Sequence, residues 1–91
     1  MDRESLQAQI HHEVAEFQAR FPQIRACRST LDEWQDEGGS HYALRLDIRW
    51  PEHQTLVSGE AKDSPLGALR AALDAARRQL QQGATVRALR P

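Results

Sequence analysis

The sequence holds one cysteine, Cys27, and one lysine, and no apolar run approaches the ~18 residues that a membrane-spanning helix needs. A single cysteine closes no internal disulfide and supplies no cysteine-rich metal site. Met1-Asp2-Arg3-Glu4 lacks the basic-then-apolar layout of a signal peptide, so the cytoplasm is the expected compartment. Glycine and proline are scarce, at five and four residues, which excludes collagen-like and low-complexity chains. Catalytic signatures are missing as well: there is no GxSxG, no glycine-rich phosphate loop and no HExxH. What is present is 40% hydrophobic and 27% charged residues, a balance that folds rather than stays disordered. Ninety-one residues allow one domain and one core.

Charge is balanced overall, with twelve basic against thirteen acidic side chains, so nothing draws the whole chain to nucleic acid. Its distribution is uneven. Residues 1–37 carry four arginines against eight acids, whereas residues 64–91 carry five arginines against Asp74 alone. Eleven of the twelve cations are arginine, the side chain that grips phosphate with two parallel hydrogen bonds.

Periodicity orders the chain. Leu6, Ile10, Val14, Phe17 and Phe21 fall within about 80° of one helical face, with Asp2 or Ser5 as cap and Pro22 as stop. A strand is expected from Ile24 to about Glu33, with Cys27, Ser29 and Leu31 on one side and Arg28, Thr30 and Asp32 on the other. Trp34 to Ser40 reads as a loop by its glycines and acids. The strongest strand pattern follows: Tyr42, Leu44, Leu46, Ile48 and Trp50 alternate with His41, Ala43, Arg45, Asp47 and Arg49. Pro51-Glu52-His53 makes a turn, and Gln54–Lys62 is a third strand whose inward face the pattern leaves unassigned. Ser64-Pro65 opens a second helix with an apolar stripe of Leu66, Leu69, Leu73, Ala76 and Leu80, and Gly83 is its expected stop. The expected fold is therefore α+β, in the order α-β-β-β-α, with two helices on one face of a small antiparallel sheet. Residues 1–83 form the single domain and 84–91 a short, flexible basic tail. Double-stranded-RNA-binding domains share this order of elements, and order alone does not deliver function.

Few side chains suggest chemistry. Ser40-His41 near an aspartate has neither a nucleophile elbow nor a recognisable oxyanion donor, and Cys27 inside a strand reads as a small buried hydrophobe. His12 and Glu16, one helical turn apart, make two of the ligands a metal site needs and no more. Neither a catalytic residue nor a metal or cofactor is assigned. The arginines carry more. Arg45 and Arg49 share the polar face of the central strand, and if Arg28 stands opposite, three guanidinium groups share that face. Arg70, Arg77 and Arg78 lie on the last helix around Asp74, at spacings that also allow local ion pairs. Two readings stay open for these six arginines, a solvated surface with local pairs or a site for phosphate and RNA backbone.

A stretch of the last helix, Ala68-Leu-Arg-Ala-Ala-Leu-Asp-Ala-Ala-Arg-Arg-Gln-Leu80, resembles the final-helix signature of the ribosome hibernation-promoting factors, also called sigma-54 modulation proteins. Tyr42-Ala-Leu-Arg-Leu-Asp-Ile48 is similar to their central strand, Cys27-Arg28 to a Cys-Arg pair of that family, and Ala19-Arg20-Phe21 to the end of its first helix. The resemblance covers roughly residues 2–82. It implies a β-α-β-β-β-α fold and a non-catalytic protein that binds the small ribosomal subunit and its RNA and holds ribosomes inactive under stress. It also implies basic contacts at Arg28, Arg45, Arg77 and Arg78. The family's first strand has no counterpart here, because Met1-Asp2 aligns with the start of the first helix. A sheet without that strand has an unpaired edge, and a homodimer through the edge is expected.

Two functions from different classes follow. One is a ribosome- or ribosomal-RNA-associated protein using Arg28, Arg45, Arg49, Arg70, Arg77 and Arg78. The other is a protein-interaction or dimerisation module that has lost RNA contact. A continuous positive stripe through Arg45, Arg49, Arg70, Arg77 and Arg78 favours the first, and locally paired arginines favour the second.

Overall fold

A computed structural model describes the backbone of residues 2–89 and the side chains of residues 2–81. The order is α1 (Arg3–Arg20), β1 (Ala26–Asp36), β2 (Gly39–Trp50), β3 (His53–Lys62) and α2 (Pro65–Leu89). The three strands form one antiparallel sheet in the order β1-β2-β3, and both helices pack on the same face of it. This is the expected α+β arrangement.

Helix α1 begins where Asp2 caps it: the carboxylate accepts the Ser5 N–H at 2.7 Å. It ends ahead of Pro22, as Phe21 turns out of helical geometry and donates its N–H to the Gln18 carbonyl. Its inward stripe is the one read from the sequence, with Ile10, Val14 and Phe17 buried and Leu6 and Phe21 at the margins.

The first hairpin departs from expectation. No loop spans residues 34–40: β1 runs on to Asp36, Glu37-Gly38 makes a two-residue turn, and β2 starts at Gly39. The residues that read as loop are paired across the strands. Trp34 stacks on His41, Gln35 Nε2 donates to Ser40 Oγ, and Asp36 Oδ1 accepts the Gly38 N–H at 2.7 Å. Gly39 takes φ +119°, a value that a side chain disfavours. The second hairpin turns at Pro51-Glu52, between the paired residues Trp50 and His53.

Central strand β2 supplies the floor of the core. Leu44, Leu46 and Ile48 are completely buried under the helices, with Tyr42 and Trp50 half-buried at either end. The register resolves the face that the sequence left open: Thr55, Val57, Gly59 and Ala61 of β3 lie beside this apolar row. Gly59 is the pivotal one. A Cβ there would sit 2.2 Å from the Ala72 nitrogen and 2.4 Å from the Ala68 carbonyl oxygen, so α2 lies backbone against backbone on β3. Helix α2 is accordingly turned from the expected leucine stripe. Ala68, Leu69, Ala72, Ala76 and Leu80 are buried, whereas Leu66 and Leu73 are only partly so.

Helix α2 starts as read, with Ser64 Oγ accepting the Gly67 N–H at 2.8 Å and Pro65 as the first helical residue. Gly83 does not stop it, since the helix is continuous to Leu89. One glycine inside a helix costs only about 1 kcal/mol relative to alanine, and flanking residues that favour helix carry the chain through it. The expected tail at 84–91 falls on this last stretch, and of it residues 90 and 91 lie outside the described residues.

Candidate functional site

The sheet leaves one face uncovered by helices. Register places on it Arg28, Thr30, Asp32, Trp34 and Asp36 of β1, His41, Arg45, Asp47 and Arg49 of β2, and Leu56, Ser58, Glu60 and Lys62 of β3. Arg28 faces Asp47 across the strands, so Arg28, Arg45 and Arg49 do share one face, as anticipated. They do not form a positive patch. Arg45 Nε meets Asp32 Oδ2 at 3.1 Å, and Arg49 lies 3.8 Å from Asp47, which also accepts from Gln54 Nε2 at 2.9 Å. Across the face four cations (Arg28, Arg45, Arg49 and Lys62) meet four carboxylates (Asp32, Asp36, Asp47 and Glu60), and the formal charge cancels. Two large apolar side chains are exposed there, Leu56 at 72% and Trp34 at 42%. Trp34 lies nearly parallel to the His41 ring, with centroids 5.6 Å apart and planes inclined by 14°.

His41 is held from its other side. Asp36 Oδ1 accepts from His41 Nε2 at 2.8 Å as well as from Gly38. These two hydrogen bonds, the histidine's being the larger effect, hold the Asp36 carboxyl below the ordinary aspartate range. Sequence reading puts Asp36 in a loop and His41 at the start of the central strand, and does not bring the two together in this cluster. The one signal that could have found it is the period-two placement of Trp34, Asp36 and His41 about the turn.

The remaining arginines stand on the opposite side of the molecule, because α2 covers the other face of the sheet. Arg77 and Arg78 are 54% and 70% exposed and converge on Asp74. Arg77 bonds Asp74 Oδ1 directly, and Arg78 reaches Oδ2 at 2.6 Å. The Arg78 hydrogen bond is the main reason that the Asp74 carboxyl sits below its usual range. Arg70 makes no ion pair among the described residues and borders a groove of about 340 Å³ between α1 and α2. Arg20 of α1 and Arg77 line the same groove over a floor of Phe17, Phe21 and Leu73, together with Glu13, Glu16 and Asp74. Arg20 was not singled out from the sequence. Only helix-to-helix packing brings it beside Arg70.

The stripe through all five arginines therefore does not exist. Arg45 and Arg49 look out from the open sheet face, whereas Arg70, Arg77 and Arg78 look out from the helical side. Four of the five are engaged by a neighbouring aspartate. Pairs this exposed contribute little and exchange readily with other anions.

Cys27 is half-buried on the helix side of β1, and desolvation there raises its thiol above the ordinary value. His12 Nε2 and Glu16 Oε1 are 3.2 Å apart on an exposed turn of α1. Among the described residues no three metal-ligating side chains come together. No helix there is long and apolar enough to cross a membrane. No family model, curated protein or solved structure matches the chain.

Proposed function

We propose that this chain is a non-catalytic, cytoplasmic ribosome-associated protein of the hibernation-factor type, which meets the small ribosomal subunit through RNA phosphates and modulates translation under stress. The local pairing of the arginines favours the interaction module; what supports this reading is the outward side of α2. Arg70, Arg77 and Arg78 stand there on the segment with the most specific family resemblance, with Asp74 the one acid of α2 and Glu13 and Glu16 across the groove, and the exposed Arg77 and Arg78 can leave Asp74 for phosphate. The sheet face, with its charge cancelled, is not part of this contact. Arg28, Arg45 and Arg49 therefore leave the proposed RNA-binding set, and Arg20 joins it from across the α1–α2 groove.

Co-sedimentation with purified small subunits tests the reading. Binding is expected at low salt and falls steeply as salt rises, because each phosphate contact releases a counterion. Replacing Arg77 and Arg78 together by Ala weakens binding and leaves the circular dichroism spectrum unchanged, since both project away from the core. Unchanged sedimentation of the double variant, or none by the wild type, overturns it.

A specific observation favours a second reading, that of a protein-interaction module. The open sheet face is neutral, mixed in charge, and carries the exposed Trp34 and Leu56, a composition suited to protein rather than to phosphate. Under this reading Arg45→Ala and Leu56→Ala abolish partner capture, and the Arg77/Arg78 double variant does not.

A further inference from the structure

Strand β1 is an edge strand, and its backbone shows which residues face the open side. In antiparallel pairing successive residues turn their N–H and C=O groups to opposite neighbours. Asp63 donates its N–H to the Ser40 carbonyl at 2.8 Å, so even-numbered residues of β2 bond β3. Odd-numbered residues of β2 therefore face β1, the side to which the Arg49 carbonyl points in accepting from Arg25, one residue ahead of the strand, at 2.7 Å. Carried across the register, even-numbered residues of β1 bond β2. The N–H and C=O groups of Cys27, Ser29, Leu31 and Glu33 point to the edge, where no strand lies among the described residues.

Grooves run beside this edge beneath α1. One of about 770 Å³ is lined by Leu6, Ile10, Leu31 and Tyr42, among others, and a second of about 470 Å³ by His11, Val14, Ala15, Cys27 and Ser29. At the other edge of the sheet, α2 lies directly on β3 at Gly59.

We infer that the occupant of the β1 edge is a second copy of this chain, paired antiparallel about a two-fold axis at Thr30. The order of charges about that residue carries the inference. Arg28 stands two residues before it and Asp32 two after, so the strand is complementary to itself when reversed. With Thr30 opposite its own copy, Arg28 faces the partner's Asp32 at both ends of the axis, and no like charges are opposed. Arg28 makes no ion pair within its own chain among the described residues. A shift of the axis to Asp32 sets Asp32 against the partner's Asp32, and a shift to Leu31 leaves Arg28 facing the partner's Trp34. On the helix side, the register at Thr30 brings the partner's Leu31 beside Ser29, at the mouth of the smaller groove. The product is a six-stranded sheet with the two α1 helices flanking the seam. This inference does not rest on ribosome binding, and it gives Arg28 a role in assembly.

Sedimentation equilibrium and charge exchange test it. The wild type is expected at twice the 10.3 kDa chain mass at micromolar concentration. Arg28→Asp alone and Asp32→Arg alone each raise the dissociation constant by about tenfold or more, because each sets like charges in opposition at both ends of the axis. An equimolar mixture of these two variants restores the dimer, since every opposed pair is then of opposite sign. In a Cys27→Ser background, Thr30→Cys oxidises to a covalent dimer, its copies being about 4.5 Å apart between Cα atoms, within disulfide reach. Ser58→Cys, on the open face of β3, does not. A monomer at several hundred micromolar, failure of the mixture to dimerise, or equal cross-linking at positions 30 and 58 overturns the inference.

Discussion

Gly59 shows how much one side chain's absence can govern. An added methyl there meets backbone atoms, the Ala72 nitrogen at 2.2 Å, the Ala68 oxygen at 2.4 Å and the Ala71 carbonyl carbon at 2.7 Å, and no rotamer change relieves such a clash. Gly59→Ala is therefore expected to destabilise the fold by at least about 2 kcal/mol, a loss of roughly 10 °C in Tm for a domain of this size. Thermal unfolding measures it. Adding Ala72→Gly to the variant does not restore stability, because the obstacle is main chain; recovery in the double variant would contradict the geometry. Sequence reading missed this position for a physical reason. The inward row of β3, Thr55, Val57, Gly59 and Ala61, is too small and mixed to print a period of two, whereas the leucines of β2 print it plainly.

The elements were legible in proportion to how far their own side chains decide them. Helix α1 was read with its cap, stripe and stop, since Asp2, Ile10, Val14, Phe17 and Pro22 all act within a few turns. Helix α2 was placed correctly at its start and rotated wrongly, because leucines signal burial in a sequence while the contact with Gly59 is a tertiary fact. The β1–β2 hairpin was read as looser than it is. Glycines and acids look like loop, and the pairing that extends the strands lies between residues on opposite sides of the turn. Its hydrogen bonds make it sensitive to acid. The Asp36 carboxyl lies below its ordinary value of 3.8, so its contribution is fully present above that value. It is lost as pH falls further, through the lowered value of the folded state. Asp36→Asn is expected to flatten the decline of stability below pH ~4. Urea unfolding at a series of acidic pH values reads this out, and an identical acid limb in the variant would refute it.

At the scale of the molecule, the sheet divides the arginines into two populations that no single flat ligand reaches together. Both populations were visible as residues in the sequence. Their separation was not, since it depends on which face of β2 the helices cover. The same layering predicts uneven rigidity. Strand β2 is paired on both sides and completely buried at Leu44, Leu46 and Ile48, while α1 is held by Ile10, Val14 and Phe17 beside open grooves. Amide exchange is expected to be slowest in β2 and markedly faster in α1; equal protection would count against this layering. The seam at Gly59 bears finally on how the last helix's family likeness is to be weighed. Ala68, Ala72 and Ala76 are all completely buried, and the first two lie against a strand that leaves no room for a larger side chain. A shared run of alanines is then a record of interlayer spacing, which any protein stacking a helix this closely must keep whatever it binds. The outward letters of the same stretch, Arg70, Asp74, Arg77 and Arg78, lie outside that constraint, so a likeness confined to the alanines speaks for the stacking of the layers and one that extends to these four speaks for a shared surface.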